Sequence, residues 1–125
     1  MCVPVRLDDM SFWRKEVIDF ALDQETLLHI EEQKDWIARE PSNPQPYYQL
    51  ALLYRMQRKP EEALALLLEA IHLDPSHARA QVALTELYTV REDYQAAWRH
   101  ARLAERAGEA AGVDLLARHN ILEES

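Results

Sequence analysis

The chain has 125 residues, of which 48% are apolar and 29% charged, and its formal net charge is −8. This size and apolar content fit one globular domain with a sizeable core and exclude a disordered acidic chain. The acidic balance disfavours phosphate backbones, and no stretch reaches the roughly 18 apolar residues of a membrane span, so we expect neither a nucleic-acid nor a membrane partner.

The first third of the chain carries two apolar patterns of helix period after an irregular arm over residues 1–8. They predict one helix over about residues 10–22 and a second over about residues 25–39. No Gly or Pro separates the two patterns, so a single fused helix is the alternative. We prefer a break at Asp23–Gln24 because of the repeat period described below. Pro41, Pro44 and Pro46 then stop helix propagation, since each lacks an N–H.

The rest of the chain alternates between helical patterns and short turn signals. The patterns predict helices over about residues 46–57, 60–73, 78–90, 94–107 and 113–119. Pro60 suits the first turn of a helix, where its missing N–H costs nothing, and Pro75 closes that helix. Residues 121–125 are expected to be frayed. Because Leu, Ala, Glu, Gln and Arg dominate the composition, we predict an all-α protein.

A shift of about 34 residues along the chain superimposes each pair of helical patterns on the next pair. The pairs that match are Leu50 with Leu84, Leu53 with Leu87, Tyr54 with Tyr88, Ala63 with Ala97, Ala70 with Ala104 and Pro41 with Pro75. The same shift sets Asp23 opposite Gln57, where the middle helix pair turns. We therefore predict two helices in the first region as well.

A helix–turn–helix period of about 34 residues resembles the tetratricopeptide repeat. Residues 44–77 match its pattern at Tyr47, Leu50, Ala51, Tyr54, Ala63, Leu67, Ala70 and Pro75. Residues 78–111 match less completely, with Gln81, Thr85 and Ala101 as departures, and residues 10–43 form a degenerate copy with His29 and Trp36 at small positions. The resemblance implies an antiparallel helix-hairpin solenoid, with about three hairpins and a C-terminal capping helix.

The domain prediction follows from these copies. Residues 1–125 form a single domain, in which residues 10–43, 44–77 and 78–111 are repeats and residues 112–125 are a cap and tail. We expect His29 to be partly buried, as a replacement for a small residue.

The resemblance implies a concave groove, lined by the first helix of each repeat, that holds a partner peptide or helix. The positions carried over are Arg14, Tyr48, Leu52, Arg55, Arg79, Val82 and Glu86. Tyr48 and Leu52 lie off the core line of their helix, which favours a binding surface; the alternative is packing beneath a neighbouring segment. The arginines favour an acidic peptide if they gather in the groove, or are ordinary solvated charges if they do not.

The sequence carries no constellation typical of catalysis or of metal or cofactor binding. Its five histidines are never three or four residues apart, and no HExxH, CxxC or phosphate loop occurs. We therefore predict a protein-interaction scaffold that is not an enzyme and needs no cofactor. The single cysteine, Cys2, favours a reducing, cytoplasmic setting.

The alternative function is self-assembly into a homodimer. Repeat proteins stack end to end when their caps are weak. The residues that could form such an interface are Trp13 and Trp36 at one end and Leu115, Leu116 and Ile121 at the other.

Overall fold

The computed structural model describes the backbone of residues 7–123 and the side chains of residues 23–123. Within these residues the protein is entirely helical and contains no strand, so the all-α prediction is confirmed. None of the helices described is both long enough and apolar enough to cross a membrane. The helices are α1 (Leu7–Arg39), α2 (Pro44–Met56), α3 (Pro60–Leu73), α4 (Ala78–Val90), α5 (Tyr94–Arg106) and α6 (Ala111–Arg118).

The predicted break at Asp23–Gln24 is wrong, because α1 runs without interruption from Leu7 to Arg39. The segment around Asp23 holds neither Gly nor Pro, and Ala21, Leu22 and Glu25 are good helix formers, so nothing stops helix propagation there. The structure accordingly has two hairpins rather than about three. Helix α1 packs on the first hairpin through its C-terminal part, where Ile30 is buried.

The two hairpins, α2–α3 and α4–α5, stack into one solenoid with a continuous core. Small side chains allow the helices to approach closely: Ala51 on α2 and Ala63 and Ala70 on α3 have no exposed surface. Leu67 fills the space between these alanines and the next hairpin, where Leu84 is equally buried. The hairpin-solenoid architecture predicted from the repeat is thereby confirmed.

The turns inside the two hairpins lie one repeat period apart and have the same hydrogen bonds. In the first hairpin Arg58 has a positive φ of 59°, and the N–H of Lys59 donates to the carbonyl of Tyr54 over 2.9 Å. In the second, Glu92 has a φ of 62°, and the N–H of Asp93 donates to the carbonyl of Tyr88 over 3.0 Å. A left-handed residue that ends a helix in this way satisfies carbonyls left free in its last turn.

Helix α6 closes the C-terminal end by packing against α5 and α4. Its close approach depends on Gly112, since a Cβ there would stand 3.1 Å from Thr85 Oγ1 and 3.3 Å from Ala101 Cα. Leu116 of α6 has no exposed surface. The segment after α6 is not frayed over its described part: Ile121 donates its N–H to the carbonyl of Leu116 over 3.0 Å and packs on the same cluster.

Candidate functional site: the concave groove

Helices α2 and α4, the first helices of the two hairpins, lie side by side and line a pocket of about 250 Å³. Six of the seven residues predicted for the groove converge there. Three come from α2 and three from α4: Tyr48, Leu52, Arg55, Arg79, Val82 and Glu86. The seventh, Arg14, belongs to the part of α1 whose side chains lie outside the described residues.

Apolar surface in the groove comes from Leu52 and Val82. Both side chains are half-buried, and neither belongs to the hydrophobic core between the hairpins. Tyr48 has a double role, because it packs against that core and its ring lies 5.0 Å from the imidazole of His77, tilted by 47°. The apolar lining of the groove that the core does not use is therefore Leu52 and Val82.

The charges in the groove are paired on one side and free on the other. Arg55 Nη2 lies 2.9 Å from Glu86 Oε2, so this ion pair joins α2 to α4 across the floor of the groove. Arg79 is exposed and takes part in no ion pair among the described residues. Glu109 from the loop before α6 also lines the pocket. Two arginines and two glutamates thus line the groove, and Arg79 is the arginine without an ion pair among the described residues.

Three groove residues were not predicted from the sequence: one is Ala83 on α4, and the other two are Glu109 and Ala111. The last two come from the turn that follows α5, where Gly108 has a φ of 102° and the N–H of Glu109 donates to the carbonyl of Ala104. The repeat period was the available signal, since it sets Glu109 opposite Pro75 and thus at the entry to a further first helix.

The prediction that His29 is partly buried is wrong. Its side chain is 48% exposed and lies 3.3 Å from Glu32 and 3.6 Å from Glu25, one turn away in each direction. The prediction assumed a turn at Asp23 that would fold the preceding helix back onto this face. Because α1 continues straight through Asp23, that packing does not form. Among the described residues no group of His, Cys, Asp and Glu side chains has the arrangement of a metal site.

A buried polar cluster between α4 and α5 was not predicted from the sequence. His100 Nδ1 lies 2.7 Å from Gln81 Oε1, and Gln81 Nε2 donates to the carbonyl of Pro75 over 3.1 Å. The ring of Tyr88 stacks on the imidazole at 5.4 Å, with an angle of 2° between the planes. Burial, and secondarily the charge of Arg99, lowers the pKa of His100 from 6.5 to about 4. The imidazole is therefore neutral at pH 7, and it forms part of the buried contact between α4 and α5.

The end residues predicted for a homodimer are partly used within the chain. Leu116 is fully buried, and Ile121 packs with it against Trp98. Leu115 and Trp36 are half-buried, and the side chain of Trp13 lies outside the described residues. Leu116 is thus unavailable to a second copy, and dimerisation stays a prediction.

Comparison with known families agrees with this architecture. Residues 34–65, which run from the end of α1 through α2 into α3, match the family model of the tetratricopeptide repeat. No curated protein matches the chain. This match and the stacked helical hairpins together support a solenoid of tetratricopeptide-like helical repeats. Such repeats form a non-catalytic scaffold family that generally mediates protein–protein interaction.

Proposed function

We propose that this protein is an interaction scaffold that binds a peptide or a helix of a partner protein in the groove between α2 and α4. The observation that supports it most directly is the pocket itself, in which Leu52 and Val82 offer apolar surface that the core does not use. A rigid helical floor with a few apolar and charged side chains suits extended peptides or amphipathic helices. The mechanism is complementarity on a preformed surface, without chemistry, in the cytoplasmic setting favoured by the single cysteine.

The charges of the groove define the partner more closely. An apolar side chain of the ligand would lie between Leu52 and Val82, and a carboxylate would meet the free guanidinium of Arg79. Arg55 is already neutralised by Glu86, so a second carboxylate would have to displace that glutamate. We therefore propose a ligand with one apolar anchor and one nearby acidic residue, and not a strongly acidic tract.

The test is affinity capture with the whole chain from its source cells, followed by binding measurements with the purified partner. The groove variant is Leu52→Ala with Arg79→Glu, which removes half-buried apolar surface and reverses an unpaired charge. The matched control is Leu68→Ala with Arg58→Glu, because both residues are exposed and lie away from the groove. We expect the groove variant to weaken binding about tenfold or more and the control to bind normally.

Circular dichroism must show equal helicity for both variants, since a loss of fold would also abolish capture. A partner that binds the groove variant and the control equally well would contradict the proposal. The homodimer alternative predicts a concentration-dependent mass in sedimentation, and a monomer over a wide concentration range would exclude it.

A further inference from the structure

The outward face of α5 concentrates positive charge in a protein of net charge −8. Side chains at helical spacing line a second pocket, of about 640 Å³: Gln95, Trp98, Arg99, Arg102, Leu103 and Arg106. This surface, the α5 face, has no lining residue in common with the groove between α2 and α4. Three of the chain's 14 lysine and arginine residues lie within two turns of this one helix.

The chain itself shows which chemistry the α5 face accepts. The segment after α6 turns back over α5, and Glu123 Oε2 accepts a hydrogen bond from Arg102 Nε over 2.6 Å. Two residues earlier, Ile121 packs against the cluster that contains Trp98. The guanidinium of Arg102 also lies 5.1 Å from the centre of the Trp98 ring. An apolar residue followed two positions later by a carboxylate therefore occupies part of this face.

The tail leaves the greater part of the positive charge unused. Arg102 is shared between Glu123 and its own helix neighbour Glu105, at 3.0 Å. Arg99 and Arg106 are exposed and form no ion pair among the described residues. The indole N–H of Trp98 is buried and has no acceptor within the same part of the chain, although an unsatisfied buried donor costs roughly 1–3 kcal/mol. The tail thus places one carboxylate, Glu123, and one apolar side chain, Ile121, on a surface that could bind further carboxylates.

We propose that the α5 face is a docking site for a linear segment of a partner protein that combines an apolar residue with two or more carboxylates. The chain's own tail is a tethered, weaker occupant of the same site, and the partner displaces it. Charge complementarity selects this ligand, because the arginines at positions 99, 102 and 106 lie along one side of α5 and a carboxylate already rests on the middle one. A phosphate backbone is disfavoured because the rest of the protein repels it.

The experiment uses the full chain and a fluorescein-labelled peptide with the sequence of residues 118–125, RHNILEES, measured by anisotropy at low salt. Glu123→Gln in the protein weakens the tethered competitor without touching the core. The labelled peptide should then bind about two- to fivefold more tightly than it binds the unmodified chain, since an exposed ion pair of modest strength has been removed from the competitor.

Adding Arg99→Gln and Arg106→Gln to that variant should weaken the peptide about fivefold or more, because the two free cations are lost. Arg58→Gln is the matched control, since it removes an exposed arginine that lines neither surface and forms no ion pair among the described residues, and it should leave binding unchanged. A peptide with both glutamates replaced by glutamine should bind no better than the label alone.

Equal affinity for the unmodified chain and Glu123→Gln, or loss of binding with Arg58→Gln, would overturn the proposal. A concentration-dependent mass of the Glu123→Gln chain in sedimentation would instead assign the face to the tail of a second copy. Displacement of the labelled peptide by a short single-stranded oligonucleotide more readily than by unlabelled peptide would assign it to phosphate backbones. The test is separable from the groove proposal, because binding that depends on Arg99 and Arg106 identifies the α5 face, whereas binding that depends on Leu52 and Arg79 identifies the groove.

Discussion

Lowering the pH from 7 to 5 should destabilise this protein through one residue, His100. Gln81 holds the imidazole in a defined state: its Nε2 donates to the carbonyl of Pro75, so its Oε1 points to His100 Nδ1. Nδ1 must then carry the hydrogen, and Nε2 is the unprotonated nitrogen. Protonation would place a charge in a buried site next to the positive Arg99 and add a second donor at Nε2.

The magnitude follows from the pKa. Burial and then the charge of Arg99 lower the pKa of His100 in the folded protein to about 4, whereas the unfolded chain keeps the value of 6.5. The unfolded state therefore binds the proton more tightly, and the stabilisation from the neutral imidazole is complete above pH 6.5 and decreases as the pH falls towards 4. Between pH 7 and pH 5 the loss is about 2 kcal/mol, which lowers Tm by roughly 8 °C for a domain of this size.

The assay is urea and thermal unfolding at pH 7, 6 and 5, followed by far-ultraviolet circular dichroism. His100→Gln keeps an amide beside Gln81 but cannot take up a proton in this range, so its stability should change with pH by about 2 kcal/mol less. His119→Gln is the matched control, because His119 is exposed at the end of α6. If His100→Gln loses stability between pH 7 and pH 5 as steeply as the unmodified chain does, the reasoning is refuted.

Two further predictions concern packing. Leu67→Ala should lower the free energy of unfolding by about 2–5 kcal/mol because Leu67 is fully buried, whereas Leu68→Ala next to it, 38% exposed, should cost less than about 1 kcal/mol; urea titration compares the two. Gly112→Ala should destabilise by about 1 kcal/mol despite the better helix propensity of alanine, since the new Cβ meets Thr85 and the backbone of Ala101. Thr85→Ala in the same chain should recover part of that loss, and equal or higher stability of Gly112→Ala alone would contradict the packing argument.

The sequence predicts those features that local chemistry and the repeat period determine. Small residues such as Ala63 and Ala70 recur where two helices touch, so the period locates both hairpins. Pro60 at the start of α3 and Asp93, whose side chain accepts from the N–H of Ala96, determine where helices begin. The groove prediction rests on the same regularity, because the first helices of both hairpins present Leu52 and Val82 to one side.

The repeat period gives a wrong prediction where the sequence matches the repeat pattern poorly. Applied to α1, the period predicts a turn at Asp23 that the local residues do not encode, and the helix continues. A repeat period predicts the position of a turn in a repeat that matches the pattern well. The turn itself forms only if a residue stops the helix or if packing against a partner helix stabilises the turn. His29 shows the consequence, since a position that is buried in a hairpin is exposed on a long helix.

The departures of the last repeat have a structural role of their own. Gln81 holds His100, Thr85 lies 3.1 Å from the Cβ position of Gly112, and Ala101 lies beneath the same glycine. All three therefore serve the junction at which α4 and α5 meet each other and α6. A repeat in the middle of a solenoid packs against a similar repeat on each side, so it keeps the common pattern. The last repeat packs against a short capping helix on one side instead. The residues that break the pattern mark the end of the stack, and the same cap directs the tail from Ile121 to Glu123 onto the α5 face.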